Sequence, residues 1–402
     1  MNYTSEQLAV ANATENLVRV KALAGTGKTE TSVLRVITQE SMNRKVGQVF
    51  TFTVSARETI SKRLAERGLS VPVRTLHSFA LEQVNNYRKE RGLEPMKPSD
   101  GSKVVRAMFL EETDREPTDR DINEIRQMSA LLNNGSTYPQ RIVTTERNEV
   151  IYLAERYRAK KIELGSYDWD DLIGFALLIA QKLGTKIDGE ILIDEAQDLT
   201  LLQMQYVEAL SSGRITLVLD PNQSIFGFSG AEQAASERPG YTEYTLSKSF
   251  RSAQEILDRA NVLIPENLTS DITGGEVTWL DSSLNGQAQD VAKILRDGDC
   301  VIARFKANCQ EITDLLDLEH QPPHAMNCQV TTKSGETYTF GSIHWAKGKE
   351  WPRVIVLGLC ENGFTGLPWT DEEQRVMYVA LTQAKTELVL VNQTIERPRW
   401  LN

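Results

Sequence analysis

The residues with the clearest chemical potential lie in the stretch Val20–Glu30, VKALAGTGKTE. Leu17, Val18 and Val20 lead into it as a short buried strand would, and Val33, Leu34 and Ile37 follow in a helical pattern. A strand, a glycine-containing loop, a lysine, a hydroxyl and a helix, in that order, are what binding a triphosphate requires. Gly25 and Gly27 let the backbone turn tightly and aim N–H groups at one anion. The helix that begins there adds the positive end of its dipole. Lys28 is expected to reach the β- and γ-phosphates, and the Thr29 hydroxyl to ligate Mg²⁺. Ala22 stands where the first glycine of such loops usually sits. The same letters also fit a glycine turn that merely joins a strand to a helix, so the reading depends on partners elsewhere in the chain.

Those partners are present. Ile191–Asp198, ILIDEAQD, is an apolar run that ends in two acids, a buried strand delivering carboxylates at its C-terminal end. Asp194 is placed to hold Mg²⁺, directly or through water, and Glu195 to polarise an attacking water. A second apolar run, Ile215–Asp220, leads into PNQSIFGFSGA. Gln223 at that strand tip can sense a γ-phosphate. Phe226 and Phe228 beyond it read either as exposed faces for base stacking, worth about 1–3 kcal/mol per base, or as two core phenylalanines. Gln7, upstream of the loop, has a carboxamide that can both donate to and accept from an adenine edge, or it is an ordinary solvated glutamine. His77, in VRTLHSFA, reads as a packed core histidine or, beside Thr75 and Ser78 at a strand end, as a contact to a phosphate backbone.

Composition bounds the rest. The 402 residues suffice for two to four domains, and 40% hydrophobic with 25% charged residues describes a globular chain with real cores. A net charge of −10 excludes a diffuse basic coat but leaves room for a local basic groove. Cys300, Cys309, Cys328 and Cys360 are scattered with no CxxC, which points to reduced thiols and an intracellular, cytoplasmic setting. No secretory leader pattern is visible, and the longest apolar run, Ile173 to Ala180, is too short to span a bilayer.

Several elements must position these residues. Gln48–Thr53 reads as a strand, and Ala56–Arg67, with Ile60 and Leu64 on one face, as a helix. Glu82 to about Glu163 is helical, charged and broken by turns at Pro95, Pro98, Asn133-Asn134-Gly135 and Pro139, like a helical insertion in an α/β domain. Tyr167–Leu172 starts a helix that ends in FALLIA. Gln329–Phe340 reads as a hairpin turning at Ser334-Gly335.

Taken in order, GTGKT, TFTVSARETI, TLHSFA, ILIDEAQD and DPNQSIFGFSGA resemble the motif series of the UvrD/Rep-like superfamily 1A helicases. LSKSFRS (Leu246–Ser252), VIARFKAN (Val301–Asn308), IHWAKGKEW (Ile343–Trp351) and MYVALTQAK (Met377–Lys385) continue it. The resemblance implies an α/β fold of two RecA-like parallel-sheet P-loop NTPase domains, with ATP in the cleft between them and single-stranded DNA across their top. It implies a first domain of residues 1–81 and 164–245, a helical insertion at 82–163, and a second domain at 246–402. By resemblance Gln7 reads adenine, and the loop Ala22, Leu23, Ala24, Gly25, Thr26, Gly27, Lys28 and Thr29 holds the phosphates of ATP. Thr29 and Asp194 hold Mg²⁺, Glu195 acts on the water, and Gln223 couples the γ-phosphate to DNA. Phe250 takes the place of an aromatic that stacks on adenine, Arg251 that of an arginine finger, and Glu350 that of a ribose contact. Thr53, His77, Phe226, Phe228 and His344 fall where the family touches DNA.

The departures carry information. Gln383 stands where the family has a second arginine finger, so transition-state charge loses one counter-ion; such fingers are worth about 10³–10⁵ in rate in other phosphoryl-transfer systems. Ser229 replaces an arginine after the second aromatic. The stretch Arg251–Ile343 has no room for the large insertion that bigger family members carry there. Two functions follow by resemblance. One is an ATP-dependent translocase or helicase on single-stranded DNA or single/double-strand junctions, with 3′→5′ polarity. The other is an ATP- and DNA-sensing component with weak hydrolysis that regulates a partner such as a nuclease.

Overall fold

The structure is a computed structural model that describes residues 3–133, 144–225, 237–283, 285–320, 327–361, 363–364, 367–394 and 397. It divides into two compact units, and each has its own sheet. The first unit holds the residues up to Lys21, Thr29–Leu219 and the stretch ending at Tyr244. The second holds Ala22–Lys28, Asp220–Ile225 and everything from Thr245 on.

In the first unit the strands are β1 (Leu17–Ala22), β2 (Val46–Thr51), β3 (Val73–Thr75), β4 (Glu190–Asp194), β5 (Ile215–Leu219) and β6 (Thr242–Leu246), laid side by side as β3-β2-β4-β5-β1-β6. The β1·β5, β5·β4, β4·β2 and β2·β3 pairs are all parallel. Helices α1 (Ser5–Asn12), α2 (Lys28–Ser41), α3 (Val54–Ala65), α4 (Leu76–Lys89), α8 (Trp169–Leu183) and α9 (Leu201–Leu210) accompany the sheet. Alternation along the strands explains the layering. Ile191 and Ile193 of β4 join the core beneath α4, α8 and α9, whereas the intervening Leu192 joins the core with Val33, Val36, Ile60 and Leu64 of α2 and α3. A sheet covered on both faces needs near-continuous apolar strands, and β4 and β5 are buried at every position.

The insertion brings α5 (Ser102–Thr113), α6 (Asp119–Asn133) and α7 (Thr144–Glu163) around a separate core of Val104, Val105, Met108, Phe109, Ile122, Ile125, Leu153 and Tyr157. The turns expected at Asn134-Gly135 and Pro139 lie outside the described residues.

The second unit contains the short parallel pair β7 (Lys248–Ser249) and β8 (Thr269–Ser270). Its main sheet has β9 (Glu276–Asp281), β10 (Cys300–Ala303), β11 (Cys328–Thr331), β12 (Thr337–Ser342), β13 (Trp351–Cys360) and β15 (Ala384–Asn392) in the order β11-β12-β10-β13-β15-β9, with β14 (Gly363–Phe364) on β13. From β12 to β9 all pairs are parallel; β11 and β14 pair antiparallel. The β11–β12 hairpin closes where read, with the Thr332 N–H donating to the Glu336 carbonyl at 2.9 Å and Gly335 at φ +97°. Helices α11 (Gln287–Ile294) and α12 (Ala307–Thr313) cover the face that carries Val301, Ile355, Leu357 and Val389. Helices α10 (Gln254–Asn261), α13 (Ile343–Ala346) and α14 (Asp371–Leu381) pack with one another or the sheet elsewhere.

Caps account for where the elements begin. The Thr53 hydroxyl accepts the Ala56 N–H at 3.2 Å, so α3 starts at Val54 and β2 ends at Thr51, two residues short of the strand expected through Thr53. Thr75 caps α4 in the same way. His77 therefore sits in the first turn of a helix and not at a strand end, as the sequence suggested.

One polar network fastens the first unit. The buried Arg35 guanidinium of α2 donates to Glu190 at the start of β4, at 2.7 and 3.3 Å, and to the carbonyls of Val10 and Ala13 at the end of α1. Arg214 completes the carboxylate's shell at 2.8 Å. Arg35 and Glu190 are each 1% exposed, so removing one partner strands a buried charge. Glu190→Gln is expected to lower the stability of this unit by about 3–5 kcal/mol in denaturant unfolding, and the double change Arg35→Met with Glu190→Leu to cost less than Glu190→Gln alone. A double change more costly than the single one would contradict this.

Candidate functional site

In the first unit, β1, β5 and β4 end side by side, with Lys21 opposite Leu219 and Asp194 opposite Val218. The P-loop strand is thus separated by one strand from the strand that delivers the acids. Asp194 is 1% exposed and accepts two hydroxyls from α2: Thr29 at 3.2 Å on one oxygen and Ser32 at 3.2 Å on the other. Ser32 was not singled out in the sequence; its three-residue offset from Thr29 on one helix face was the available signal. A threonine hydroxyl facing a carboxylate is the small oxygen donor set that Mg²⁺ takes when phosphate and water complete its shell. Among the described residues, no group of three or more histidines, cysteines or carboxylates forms a denser cation cage.

Glu195 adopts a left-handed backbone, φ +60°, which is costly for a residue with a side chain. The Gln197 carboxamide donates to it at 2.5 Å. Gln7 is buried at 4% exposure, not solvated; its side-chain oxygen accepts the Thr4 N–H at 3.0 Å in a capping box that fixes the start of α1.

A second constellation lies wholly within the second unit. Gly25 and Gly27 have φ of +73° and +79°, the region glycine tolerates. A Cβ on Gly25 would come within 2.4 Å of the Ser249 hydroxyl oxygen and 2.7 Å of the Arg251 Cβ. Only glycine permits that approach. The Phe250 N–H donates to the Gly25 carbonyl at 2.9 Å, and the Phe250 ring is 49% exposed. Ala22, Leu23, Ala24 and Thr26 are buried; the Thr26 hydroxyl donates to the Leu23 carbonyl at 2.8 Å, and the Ala24 N–H donates to the Tyr378 hydroxyl at 3.1 Å. Lys28 Nζ lies 3.5 Å from the Ala22 carbonyl, folded back over the loop.

Arg251 is held by its acceptors. Its Nε donates to Glu350 at 2.9 Å, and its Nη1 to the Thr382 carbonyl at 3.2 Å and the Gln383 side-chain oxygen at 3.4 Å. Lys385 also meets Glu350, at 2.7 Å. Burial raises the Glu350 pKa, but the Lys385 hydrogen bond and the Arg251 charge outweigh it, so the carboxylate lies below its ordinary value. Gln383 is fully buried, and its side-chain nitrogen has no hydrogen-bond partner. Gln223 is also buried, on the turn Pro221–Gln223 that packs against α14. Arg375 of α14 donates to the nearby Ser224 carbonyl at 2.7 Å.

Residues 3–237 match the UvrD/REP helicase N-terminal domain, and residues 324–394 the UvrD-like helicase C-terminal domain. The chain belongs to the UvrD/Rep helicase family. It is similar to a protein named probable DNA helicase from Mycoplasma pneumoniae, at 25% identity across 97% of this chain and 83% of that one. It is similar to DNA helicase IV of Escherichia coli at 29% identity, over 54% of this chain and 36% of that protein. It is also similar to the ATP-dependent DNA helicase Rep of Buchnera aphidicola at 26% identity, over 43% of this chain and 29% of that protein. The match thus spans most of the first relative and less than half of the other two. The mixed α/β architecture, with its parallel sheets, is that of the two RecA-like domains of UvrD/Rep helicases.

Of the residues this UvrD/Rep-like chain was expected to turn toward nucleic acid, Phe226 and Phe228 lie outside the described residues, as does Ser229. Thr53 is exposed but spends its hydroxyl on the α3 cap. His77 packs edge-on against Trp169, ring centroids 5.7 Å apart, and burial lowers its pKa. His344 Nε2 lies 3.2 Å from the Ile225 carbonyl; burial and then the Arg304 charge push its pKa down to about 4. Both imidazoles are neutral at pH 7. They can stack or hydrogen-bond, but they add nothing to phosphate neutralisation.

His77 also lines a cavity of roughly 290 Å³ with Phe52, Arg126, Trp169 and Asp170. Phe52 and Trp169 are 41% and 43% exposed, and neither was singled out in the sequence. No sequence signal marked Phe52: it follows the end of β2, and a two-residue spacing from the buried Phe50 would place it on the same, inward face. Asp168 accepts the Tyr157 hydroxyl at 3.0 Å and pairs with Lys161, and Asp171 meets Lys161 at 2.8 Å. Asp170 has no such partner among the described residues, and burial, then the Asp168 and Asp171 charges, raise its pKa to about 6 against the relief of Lys161 and Arg126. A carboxyl whose folded pKa lies above its unfolded value near 3.8 stabilises the fold below that value and loses the contribution as pH rises through 6. Asp170→Asn is therefore expected to raise the unfolding temperature at pH 8 by a few degrees, about 2–4 °C for each kcal/mol, and to leave it unchanged near pH 4. An equal gain at both pH values would rule out titration as the cause.

Proposed function

We propose that the chain is a DNA-dependent ATPase that moves along single-stranded DNA, or into single/double-strand junctions, with 3′→5′ polarity. The observation that carries this reading is the Asp194 carboxylate accepting the Thr29 hydroxyl at 3.2 Å, at the junction of a glycine loop and a helix N-terminus. That donor pair suits a Mg²⁺–triphosphate and has no evident structural need of two acids in sequence. Family membership supports the same chemistry, since the relatives described above are named helicases.

In this reading Thr29 and Asp194 hold Mg²⁺, which when bound would neutralise phosphate charge. The loop Ala22–Thr29 and the Lys28 ammonium hold the phosphates. Glu195 takes the proton of the attacking water, and Gln223 orients it. Arg251 places a guanidinium on the charge that develops at the γ-phosphate, an electrostatic rather than covalent contribution. Phe250 presents an exposed face to the adenine ring, Gln7 reads its edge, and Glu350 takes the ribose once Arg251 turns to the phosphate. Thr53, His77, Phe226, Phe228 and His344 belong to the DNA side. Phe52 and Trp169 join them as stacking faces beside His77.

We further propose the minimal form of the motor: residues 1–81 with 164–245, the insertion 82–163, and 246–402 without a large second insertion. Such a motor unwinds duplex weakly on its own. Its four cysteines are free thiols, which fits work in the cytoplasm. One observation favours a second reading, in which hydrolysis is weak and the chain regulates a partner such as a nuclease. Position 383, where the family places a charged finger, holds a fully buried neutral carboxamide.

A DNA-stimulated ATPase assay on the parent chain, Glu195→Gln and Gln383→Arg separates the two. The motor reading expects stimulation by single-stranded DNA, loss of at least about a hundredfold in turnover for Glu195→Gln, and a rise for Gln383→Arg. No stimulation, with Glu195→Gln without effect, would leave the regulatory reading standing.

A further inference from the structure

The helix Trp169–Leu183 is more apolar than its place in the fold requires. Its inward face, Leu172, Ile173, Ala176, Leu177, Ile179 and Ala180, is buried in the core of the first unit. A second stripe at i, i+3 spacing faces outward: Phe175 is 41% exposed and Leu178 62%. A helix apolar on both sides ordinarily has something on each of them. Leu93, in the loop after the neighbouring helix Leu76–Lys89, is 50% exposed and faces the same space. Together these two helices and that loop wall a groove of roughly 260 Å³.

Charge sets the chemistry of what fits. Among the described residues, the only charged side chains lining the groove are cationic, Arg88 and Lys182. Arg88 donates to the Glu94 carbonyl and lies over the Tyr167 ring; Lys182 donates to the Tyr87 hydroxyl at 3.2 Å. Neither meets a carboxylate among the described residues. That is unusual in a chain with a formal charge of −10, where acids outnumber bases 55 to 45. Apolar floor and uncompensated cations on the rim are complementary to an apolar stripe flanked by acids. Two helices packed side by side offer a channel that takes a third helix by ridge-and-groove fit.

We propose that this groove docks an amphipathic helix of a partner protein, with aliphatic or aromatic anchors at i, i+3 or i+4, and i+7, and carboxylates flanking them. Phe175, Leu178 and Leu93 receive the anchors, and Arg88 and Lys182 pair with the carboxylates. The surface is separate from the residues assigned to nucleotide and DNA.

The test uses the full chain and two fluorescein-labelled helical peptides of about 18 residues, long enough to hold a helix. Both carry the same Leu and Phe anchors; one has Glu flanks and the other Lys flanks. By fluorescence anisotropy the Glu peptide is expected to bind saturably and at least about tenfold more tightly than the Lys peptide, with the difference shrinking as salt rises. Leu178→Asp is expected to weaken it by at least about tenfold, and Arg88→Glu with Lys182→Glu to invert the peptide preference. Circular dichroism and an unchanged unfolding temperature show that the variants are folded; Phe175→Ser repeats the test if Leu178→Asp does not fold. The proposal is overturned if the Glu peptide does not bind, if both peptides bind alike, or if Leu178→Asp leaves the affinity unchanged. It is also overturned if sedimentation shows a dimer that Leu178→Asp dissolves, because the occupant is then a second copy of this chain.

Discussion

A single helix, Lys28–Ser41, is lashed to a single strand, Glu190–Asp194, at both of the strand's ends. At the strand's start Glu190 grips Arg35, and at its finish Asp194 takes Thr29 and Ser32. From residue 190 to 194 the strand runs about 13 Å, and from residue 29 to 35 the helix rises about 9 Å, so the two fastenings fix the helix in both position and rotation. The apolar contacts of Val33, Val36 and Leu192 supply most of the cohesion but leave the helix free to slide. Directional polar contacts remove that freedom. Thr29 and Asp194 can act together on a cation only if it is removed, because oxygen–metal distances tolerate little error.

The loop before that helix meets a different constraint. At Gly25 the chain gives up a side chain so that Ser249 and Arg251 can come close. Arg251 then finds a carboxylate, a carbonyl and a carboxamide around it. Paired in this way the guanidinium is oriented, and its charge is partly compensated by Glu350. An arginine at 383 would set two guanidiniums side by side, whereas glutamine offers Arg251 an acceptor. The neutral residue thus exchanges electrostatic strength for a defined position of the remaining cation.

What the sequence disclosed follows the range of the interactions involved. The loop, the acids of ILIDEAQD and the hairpin at Ser334-Gly335 are local patterns, and local patterns carry helix, strand and turn preferences directly. The strand end and the helix start near Thr53 shifted by two residues because a cap hydrogen bond, not hydrophobic periodicity, decides them. The roles of Ser249 beside Gly25 and of Tyr378 on the Ala24 N–H were not legible, since each joins residues far apart in the chain. Burial was equally hidden. Gln7 could be read as an ordinary solvated side chain, yet it is buried, and the neutrality of His77 and His344 depends on neighbours that no window of sequence contains. The FALLIA run was legible as a helix, but its exposed second stripe was not.

The central claim is that this frame serves triphosphate hydrolysis, with Arg251 as the cation that answers developing charge on the γ-phosphate. The most direct measurement compares nucleotide affinity and DNA-stimulated turnover in Arg251→Ala and the parent chain. Affinity for a fluorescent ATP analogue is predicted to change by less than about tenfold, while turnover falls by about 10³-fold or more. Turnover that survives the loss of Arg251 would contradict the claim.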